Sequence, residues 1–259
     1  MVTFSRADDG VWSMTLDETD GQDRNAVYDE AIVRYLTAFD PAFTRAAETD
    51  EAEFIKALLR MPLGRQEAGW DPYETTMRAV PAMQRLHALI PAGDEWYETS
   101  RHLALWTYLH ALEASEPYAK LADLLDVANG GSTYVLRFPD VPYGRARSGG
   151  TRTTRPQRHD EKVKELRRLA SAADLSNVLG PLDEVWDRDL RNAVFHADYS
   201  IHGAETRIPR IDRSYTHDEI QTLVNQGLAS HEALALLRRM YRRSYAEPVT
   251  LPIRWRRRG

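Results

Sequence analysis

The sequence predicts a mainly α-helical protein with a small β-hairpin, and three observations support this prediction. Apolar residues recur at helical spacing along most of the chain, most clearly over residues 25–42 and 94–127. The spacing changes over residues 200–215, where a glycine, a proline and a Thr-Arg-Ile run are typical of a short hairpin. A capping box of the form T-x-x-E then begins a final helix, predicted over residues 216–243.

The first 90 residues contain the signals of two further helices after the one at residues 25–42. One begins near Asp50 and ends before Pro62, because proline cannot continue a helix. At residues 71–74 the sequence Asp-Pro-Tyr-Glu supplies a cap, a proline at the first helical position and an acid in the first turn. A helix is therefore predicted from there to about Leu89.

The middle of the chain contains clear helix breakers. Pro117 divides or bends the long helix over residues 94–127, and two consecutive glycines at 130 and 131 end it. Residues 132–138 alternate between apolar and polar side chains, which predicts a short strand. Residues 145–158 are rich in Gly, Arg and Thr, which predicts a loop. Helical spacing then resumes over residues 160–173 and 181–199.

The composition limits the class of protein. A chain of 259 residues with 42% hydrophobic content can bury a full core, as one large domain or two small ones. Cysteine is absent, which excludes a disulfide framework and a thiolate zinc site. The N-terminal segment carries acidic residues, whereas a signal peptide begins with basic residues that an apolar run follows. No stretch of the chain approaches about 18 uninterrupted apolar residues, the length of a membrane-spanning helix. We therefore predict a cytoplasmic protein with no membrane association.

The charges are unevenly distributed along the chain. Residues 1–144 contain 12 Lys and Arg against 24 Asp and Glu, whereas residues 145–259 contain 22 against 15. A basic C-terminal half suits contact with phosphates. It also suits docking onto the acidic half of the same chain or of another copy, so the charge pattern alone does not choose the partner.

The segment from Asp187 to Tyr199, DRDLRNAVFHADY, holds the residues with predicted chemistry. Arg191 and His196 lie five positions apart near the end of a predicted helix, and Asn192 shares the helix face of the histidine. This arrangement resembles the signature of HEPN-type ribonuclease domains, and the resemblance implies metal-free RNA cleavage with the ribose 2′-hydroxyl as nucleophile. Such cleavage needs a group that transfers protons near neutral pH and a cation that stabilises charge on phosphorus. Histidine and arginine supply these two functions.

The resemblance to HEPN-type ribonucleases implies a role for each of these residues. His196 is the predicted general acid or base, Arg191 holds the scissile phosphate, and Asn192 orients the imidazole. Candidate supporting residues lie after the histidine and on the helix over residues 94–127; they are Asp198, Tyr199, Arg101 and His102. We expect no cofactor and no metal, because the remaining histidines show no metal-binding spacing and no phosphate-binding glycine loop is present.

The R-x4-H pattern of residues 191–196 resembles the signature of HEPN-type ribonuclease domains. The resemblance covers roughly residues 95–243, with a long apolar helix and a glycine stop before the motif and a hairpin and a capped helix after it. It implies a HEPN-like helical bundle of four or five helices around two antiparallel ones. The chain then divides into an added N-terminal helical region of unknown role, the bundle and a basic tail, at residues 1–90, 91–250 and 251–259.

The resemblance also implies a function. HEPN nucleases typically bring two motifs together across a composite cleft, so it implies a metal-independent endoribonuclease that acts on RNA as a homodimer. A role as a toxin or defence effector, with a cognate antitoxin or defence partner, belongs to the same expectation. Family members paired with a nucleotidyltransferase antitoxin have a tyrosine two residues after the histidine. Here Tyr199 follows His196 by three, which argues against Tyr199 as a modification site.

Other interpretations remain open from the sequence. Arg191 and His196 can form ion pairs with nearby acids, of which Asp187, Asp189 and Asp198 are close in sequence. A HEPN-like fold can also be a non-catalytic module that binds RNA, nucleotide or a protein partner. Two further expectations concern the helix over residues 94–127. Glu113 is predicted to be a buried partner of an arginine, and the aromatic residues Trp96, Tyr97, Trp106 and Tyr108 are predicted to belong to the core.

Overall fold

The structure is a computed structural model in which the described residues are mainly helical, as predicted. It describes residues 2–8, 12–16, 26–59, 79, 82–83, 85–86, 88–91, 93–133, 137–138, 141–142, 154–155, 157–203 and 205–245. Most of the predicted helix over residues 71–89, the centre of the predicted strand over 132–138, most of the predicted loop over 145–158 and the basic tail lie outside these residues. No helix within the described ranges has both the length and the apolar character needed to cross a membrane.

The elements are numbered along the chain. The strands are β1 (Val2–Arg6), β2 (Trp12–Leu16), β3 (Val141–Pro142), β4 (Thr154–Arg155), β5 (Ser200–His202), β6 (Glu205–Ile208) and β7 (Arg213–Thr216). The helices are α1 (Ala26–Thr49), α2 (Glu51–Leu59), α3 (Asp94–Glu113), α4 (Ser115–Ala128), α5 (His159–Ala172), α6 (Gly180–Val185), α7 (Arg188–Phe195) and α8 (His217–Arg243). Short 3-10 turns cover Ser176–Leu179 and Pro209–Ile211.

The chain packs as two compact units, each built from separate stretches of sequence. The first comprises Met1–Phe39, Asp71–Ala114 and Leu179–Leu236, and the second Asp40–Trp70, Ser115–Val178 and Leu237–Gly259. Each packing unit therefore contains residues from both sides of the predicted boundary at residue 90. The division into functional regions at residues 1–90, 91–250 and 251–259 stays a prediction.

The first unit has its core where α3, α7, the sheet β5-β6-β7 and α8 meet. On α3 the buried side chains recur every three or four residues, which places them on one face of the helix. The residues of this core include Leu105, Tyr108, Leu112, Leu190, Val194, Ile208, Tyr215, Ile220 and Val224. In the same unit β1 and β2 form an antiparallel hairpin that the sequence did not indicate.

The predicted single helix over residues 181–199 is wrong, because the structure has two helices there. α6 ends at Val185 and α7 begins at Arg188. The Asp187 carboxylate accepts hydrogen bonds from the backbone N–H groups of Asp189 and Leu190, both at 3.0 Å, and so caps α7. The buried Tyr108 hydroxyl donates to the Val185 carbonyl and accepts from the Asp187 N–H, each at 3.0 Å. The backbone groups at the break that lack a hydrogen bond within a helix therefore have side-chain partners.

The predicted hairpin over residues 200–215 is part of a three-stranded antiparallel sheet in the order β5-β6-β7. β5 pairs with β6, and β6 pairs in turn with β7, with Glu205 opposite Thr216. The capping box is confirmed at the start of α8. The Thr216 N–H donates to the Glu219 carboxylate at 2.7 Å, and the Glu219 N–H donates to the Thr216 hydroxyl at 3.3 Å.

The second unit contains α2, α4 and α5, together with the ends of α1 and α8. The predicted division near Pro117 is confirmed, since α3 ends at Glu113 and α4 begins at Ser115. Stacked and edge-to-face contacts among Phe43, Phe54 and Tyr241 form an aromatic cluster in this unit.

Two predictions for the second unit need correction. The described ends of the segment predicted as a strand, residues 132–133 and 137–138, are not in a strand. Phe138 has a φ of 53°, and Arg137 instead forms ion pairs with Asp123 and Asp126. Within the predicted loop over 145–158, the pair Thr154–Arg155 forms β4 against β3.

Candidate active site

Helices α3 and α7 of the first unit run antiparallel beside each other. Near the start of α7, Arg191 contacts Glu113 at the end of α3. Beyond the end of α7, Tyr199 contacts His102, which lies eleven positions earlier on α3 than Glu113. The order of these contacts is reversed between the two segments, which defines the antiparallel arrangement. The predicted catalytic residues lie on the segment between the two contacts.

Arg191 is held by three neighbours. Its Nε donates to Glu113 Oε1 at 2.6 Å, and its Nη2 is paired with the same oxygen. Nη1 donates to the Asn192 amide oxygen at 3.0 Å. The guanidinium carbon also lies 4.7 Å from the centre of the Phe195 ring, a cation–π contact. The side chain is 18% exposed, so Arg191 is not sealed from solvent.

His196 is the C-terminal cap of α7 and is exposed. Its backbone N–H donates to the Asn192 carbonyl at 3.0 Å, which closes the last helical turn. The imidazole ring lies edge-on to Phe195, with ring centres 5.1 Å apart. Among the residues that the structure describes, the imidazole has no hydrogen-bond or ion-pair partner. Arg191 and His196 thus adjoin the same phenyl ring.

A strained turn follows the histidine. Ala197 has a φ of 53°, in the left-handed region that favours glycine. The Asp198 N–H donates to the Ala193 carbonyl at 2.8 Å and the Ala197 N–H to the Val194 carbonyl at 3.2 Å, which is the Schellman pattern. The turn ends the helix directly after His196 and directs the chain back toward α3.

Asn192 does not have the contact predicted for it. Its amide oxygen accepts from Arg191, and its backbone carbonyl accepts the His196 N–H. The structure gives no hydrogen bond between the Asn192 side chain and the imidazole. The amide therefore positions the arginine rather than the histidine, because Arg191 is the nearer donor on the same helix face.

The supporting residues His102 and Tyr199 are brought together. His102 Nδ1 lies 2.8 Å from the Tyr199 hydroxyl, and His102 Nε2 lies 3.7 Å from Glu98 Oε1. Burial raises the pKa of Tyr199, and a hydrogen bond from the Trp106 side chain acts in the opposite direction. Glu98, His102 and Trp106 are spaced by four residues on α3 and therefore share one face of the helix.

The other two supporting residues lie apart from Arg191. Arg101 is fully buried, where it stacks on Tyr97 and donates to the Thr206 hydroxyl at 3.2 Å. It therefore joins α3 to the sheet rather than facing the motif. Asp198 is exposed and lies 3.7 Å from Arg210.

The acids near the motif in sequence have other partners. Asp187 caps α7, pairs with Arg213 at 2.8 Å and accepts from the Tyr215 hydroxyl at 2.9 Å. Asp189 lies 3.9 Å from the same Arg213. The acid that pairs with Arg191 is Glu113, which binds an arginine as predicted, but the Glu113 side chain is 33% exposed rather than buried. Because the two residues are 78 positions apart, no local signal in the sequence pairs them.

The aromatic side chains of α3 are divided between core and surface. Tyr108 is buried as predicted, whereas the core prediction is wrong for Trp96 and Trp106, which are 40% and 55% exposed. Phe195 on α7 is 56% exposed. Sequence reasoning did not identify these exposed rings. For Trp106, the sequence offers one indication, because it lies four positions after His102 and therefore on the same face of α3.

Two other histidines of this unit lie side by side, one buried and one half-buried. His231 on α8 is buried beside His110 of α3. Burial lowers the pKa of His231 to about 4; the nearby His110 adds to this effect, and a hydrogen bond with the Ala111 backbone opposes it. Within the described ranges, no group of three or more His, Asp or Glu side chains is arranged to hold a metal ion.

The chain was compared with models of known protein families, with curated proteins and with solved structures, and none of these matches it. The resemblance of residues 191–196 to the HEPN signature therefore stays a prediction. What the site can do is argued from its geometry. That geometry is an exposed imidazole and a restrained guanidinium against one aromatic ring, with a histidine–tyrosine pair on the adjacent helix.

Proposed function

We propose that this protein is a metal-independent endoribonuclease of the HEPN type. The observation that supports the proposal best is that Arg191 and His196 both contact the Phe195 ring. His196 is exposed and has no hydrogen-bond partner among the described residues, so a bound RNA can reach its imidazole. An antiparallel α3–α7 pair with the motif at the end of α7 also fits the HEPN-like bundle that the resemblance implies.

The proposed chemistry assigns one role to each group. His196 accepts the proton of the ribose 2′-hydroxyl, whose oxygen then attacks phosphorus. Arg191 stabilises the charge that develops on the phosphoryl oxygens. Since Glu113 already holds this guanidinium, binding of a phosphate requires the arginine to share or exchange its carboxylate partner. Asn192 keeps the guanidinium in place during this exchange through its amide oxygen.

Assembly as a homodimer is part of the proposal. A second protomer would place another Arg191 and another His196 on the same RNA, as the family resemblance implies. A toxin or defence role, a cognate antitoxin or other partner, and a cytoplasmic location are proposals on the same basis. The basic C-terminal half of the chain, with 22 Lys and Arg against 15 Asp and Glu, supports RNA as the substrate.

The experiment that tests this function measures RNA cleavage in the presence of EDTA. We expect the protein to cut single-stranded RNA, and we expect His196→Ala to reduce the rate by at least about 100-fold, the usual contribution of a general acid or base. His202→Ala is the matched control, since His202 is also exposed and lies on β5 of the same unit. It should cut at the wild-type rate.

The measurement includes circular dichroism and sedimentation of each variant, so that loss of folding or assembly is separated from loss of chemistry. Absence of cutting on any RNA, or equal rates for His196→Ala and the wild type, would reject the nuclease. Cutting that is abolished by EDTA would also reject it, because the proposal needs no metal.

The second candidate is a non-catalytic module that binds RNA, nucleotide or a protein partner. The Arg191–Glu113 ion pair is the observation that favours it, because a guanidinium already paired with a carboxylate is a weaker phosphate ligand. Under this reading the protein binds RNA in EDTA without cutting it, and His196→Ala leaves the affinity nearly unchanged.

A further inference from the structure

We propose that Tyr199, supported by His102, is the second acid–base residue of the same site, so that one protomer contains both proton-transfer groups. This inference rests on the proposed ribonuclease function. Cleavage by the 2′-hydroxyl needs a base for the attacking oxygen and an acid for the leaving 5′ oxygen. His196 supplies one of these groups, and Tyr199, three positions later in the chain, is hydrogen-bonded to the imidazole of His102 on α3.

The geometry of the pair is that of a reactive hydroxyl with a base and an orienting acid. The Tyr199 hydroxyl lies 2.8 Å from His102 Nδ1, and Glu98 lies 3.7 Å from the opposite nitrogen of the ring. A carboxylate near Nε2 favours the tautomer that carries its proton there, which leaves Nδ1 free to accept from the phenol. Trp106 makes a further hydrogen bond with Tyr199. These contacts hold the hydroxyl in one direction.

The backbone keeps Tyr199 close to His196. Only Ala197 and Asp198 separate them, and both belong to the Schellman turn whose hydrogen bonds to Ala193 and Val194 are formed. The turn carries the chain from the exposed end of α7 to the face of α3 that bears His102 and Trp106. His102 is about one-third exposed, with 35% of its side chain accessible, and Trp106 is 55% exposed, so this face borders solvent.

The electrostatic surroundings suit proton donation by the phenol. Burial raises the pKa of Tyr199, which keeps the hydroxyl protonated near neutral pH. Glu98 lies on the far side of His102, and Asp198, next to Tyr199 in the chain, lies 3.7 Å from Arg210. A neutral phenol can protonate an alkoxide, because the leaving 5′ oxygen is a much stronger base once its bond to phosphorus breaks.

The step balances within one protomer. The 2′ oxygen bonds to phosphorus and gives its proton to His196, while the bond from phosphorus to the 5′ oxygen breaks. Tyr199 turns its proton from His102 Nδ1 to that oxygen, and solvent returns a proton to the phenolate after the products leave. The products are a 2′,3′-cyclic phosphate and a 5′-hydroxyl end. Tyr199 is therefore the catalytic acid, and His102 and Glu98 are positioning residues.

The test compares two substrates in the full-length protein. One is a labelled single-stranded RNA, and the other has sulfur in place of the leaving 5′ oxygen at one linkage. A thiolate leaves without protonation, so it does not need the acid. We expect Tyr199→Phe to slow cleavage of the normal linkage by about 100-fold and to restore nearly wild-type cleavage of the sulfur linkage. His102→Gln should shift the pH profile of the normal substrate and spare the sulfur substrate.

Tyr245→Phe is the matched control, because it removes the same hydroxyl from a tyrosine that belongs to the second unit. It should cut both substrates at the wild-type rate. An equal loss on both substrates with Tyr199→Phe would show a merely structural role and overturn the inference, as would an unchanged rate on the normal linkage. The proposed function is judged separately by His196→Ala, which should be inactive on both substrates; His196→Ala with wild-type activity would overturn the nuclease itself.

Discussion

The Arg191 guanidinium and the Glu113 carboxylate form an ion pair that joins α7 to α3, with Nε 2.6 Å from Oε1. The two side chains are 18% and 33% exposed, so the pair is neither fully buried nor fully solvated. It has two opposite effects. It positions the arginine of the motif, and it competes with any phosphate for the same donors.

Glu113→Gln should separate these two effects. We expect the affinity for RNA, measured by fluorescence anisotropy in EDTA, to rise by about threefold to tenfold, that is by up to about 1.4 kcal/mol. The free energy of unfolding should fall by about 1–2 kcal/mol, because a partly buried charge-assisted hydrogen bond is weakened. Glu165→Gln is the control, since Glu165 pairs with Arg168 on the surface of α5. Equal RNA affinity in both variants would show that Arg191 does not contact the RNA.

Ala197→Gly should stabilise the protein. Ala197 has a φ of 53° in the turn after His196, and glycine adopts that conformation without the steric cost of a Cβ atom. We expect the free energy of unfolding in urea to rise by about 0.5–1 kcal/mol. Ala172→Gly is the comparison, because this exposed residue is in the last turn of α5 without a positive φ. That variant should lose stability, and a similar loss in Ala197→Gly would contradict the left-handed turn.

Asp187→Ala should be strongly destabilising. The carboxylate caps α7 through two backbone N–H groups and also binds Arg213 and the Tyr215 hydroxyl. Removal should lower the free energy of unfolding by about 2–3 kcal/mol, as the sum of a lost cap and unsatisfied donors. Asp189→Ala, which removes an exposed acid 3.9 Å from Arg213, should change stability by no more than about 0.5 kcal/mol. Equal losses in the two variants would refute the capping role.

The stability of the protein should fall on mild acidification because of His231. Its pKa is lowered from 6.5 to about 4 in the folded state. Between these values the unfolded chain binds a proton that the folded chain does not, so the free energy of unfolding decreases as the pH falls from 6.5 toward 4. The expected loss is on the order of 3 kcal/mol.

The measurement is urea unfolding at a series of pH values. His231→Gln should flatten the dependence in this window, because the variant has no group to titrate there. His202→Gln, at an exposed position, should keep the wild-type dependence. If His231→Gln retains the full slope, the acid sensitivity has its origin in other groups.

Local patterns predicted much of the secondary structure correctly. The capping box of Thr216 and Glu219 depends on residues three positions apart, and the change of spacing after Tyr199 marks the sheet that follows. Pro117 indicated the division between α3 and α4 for a similar reason. The sequence did not predict the break at Asp187, because the helical spacing of apolar residues continues through it and because two of the open backbone groups are satisfied by Tyr108, which lies far away in the chain.

By itself, the sequence determined that this chain is mainly helical, where the capping box of α8 lies, and that Arg191 and His196 share one short segment. Only the tertiary structure decided that Glu113 is the partner of Arg191, that Arg101 is buried, that Trp106 is exposed and that His102 meets Tyr199. The physical reason is the range of the forces. Capping and helical periodicity act within a turn or two of the chain, whereas ion pairing and burial depend on residues that packing brings together from distant positions.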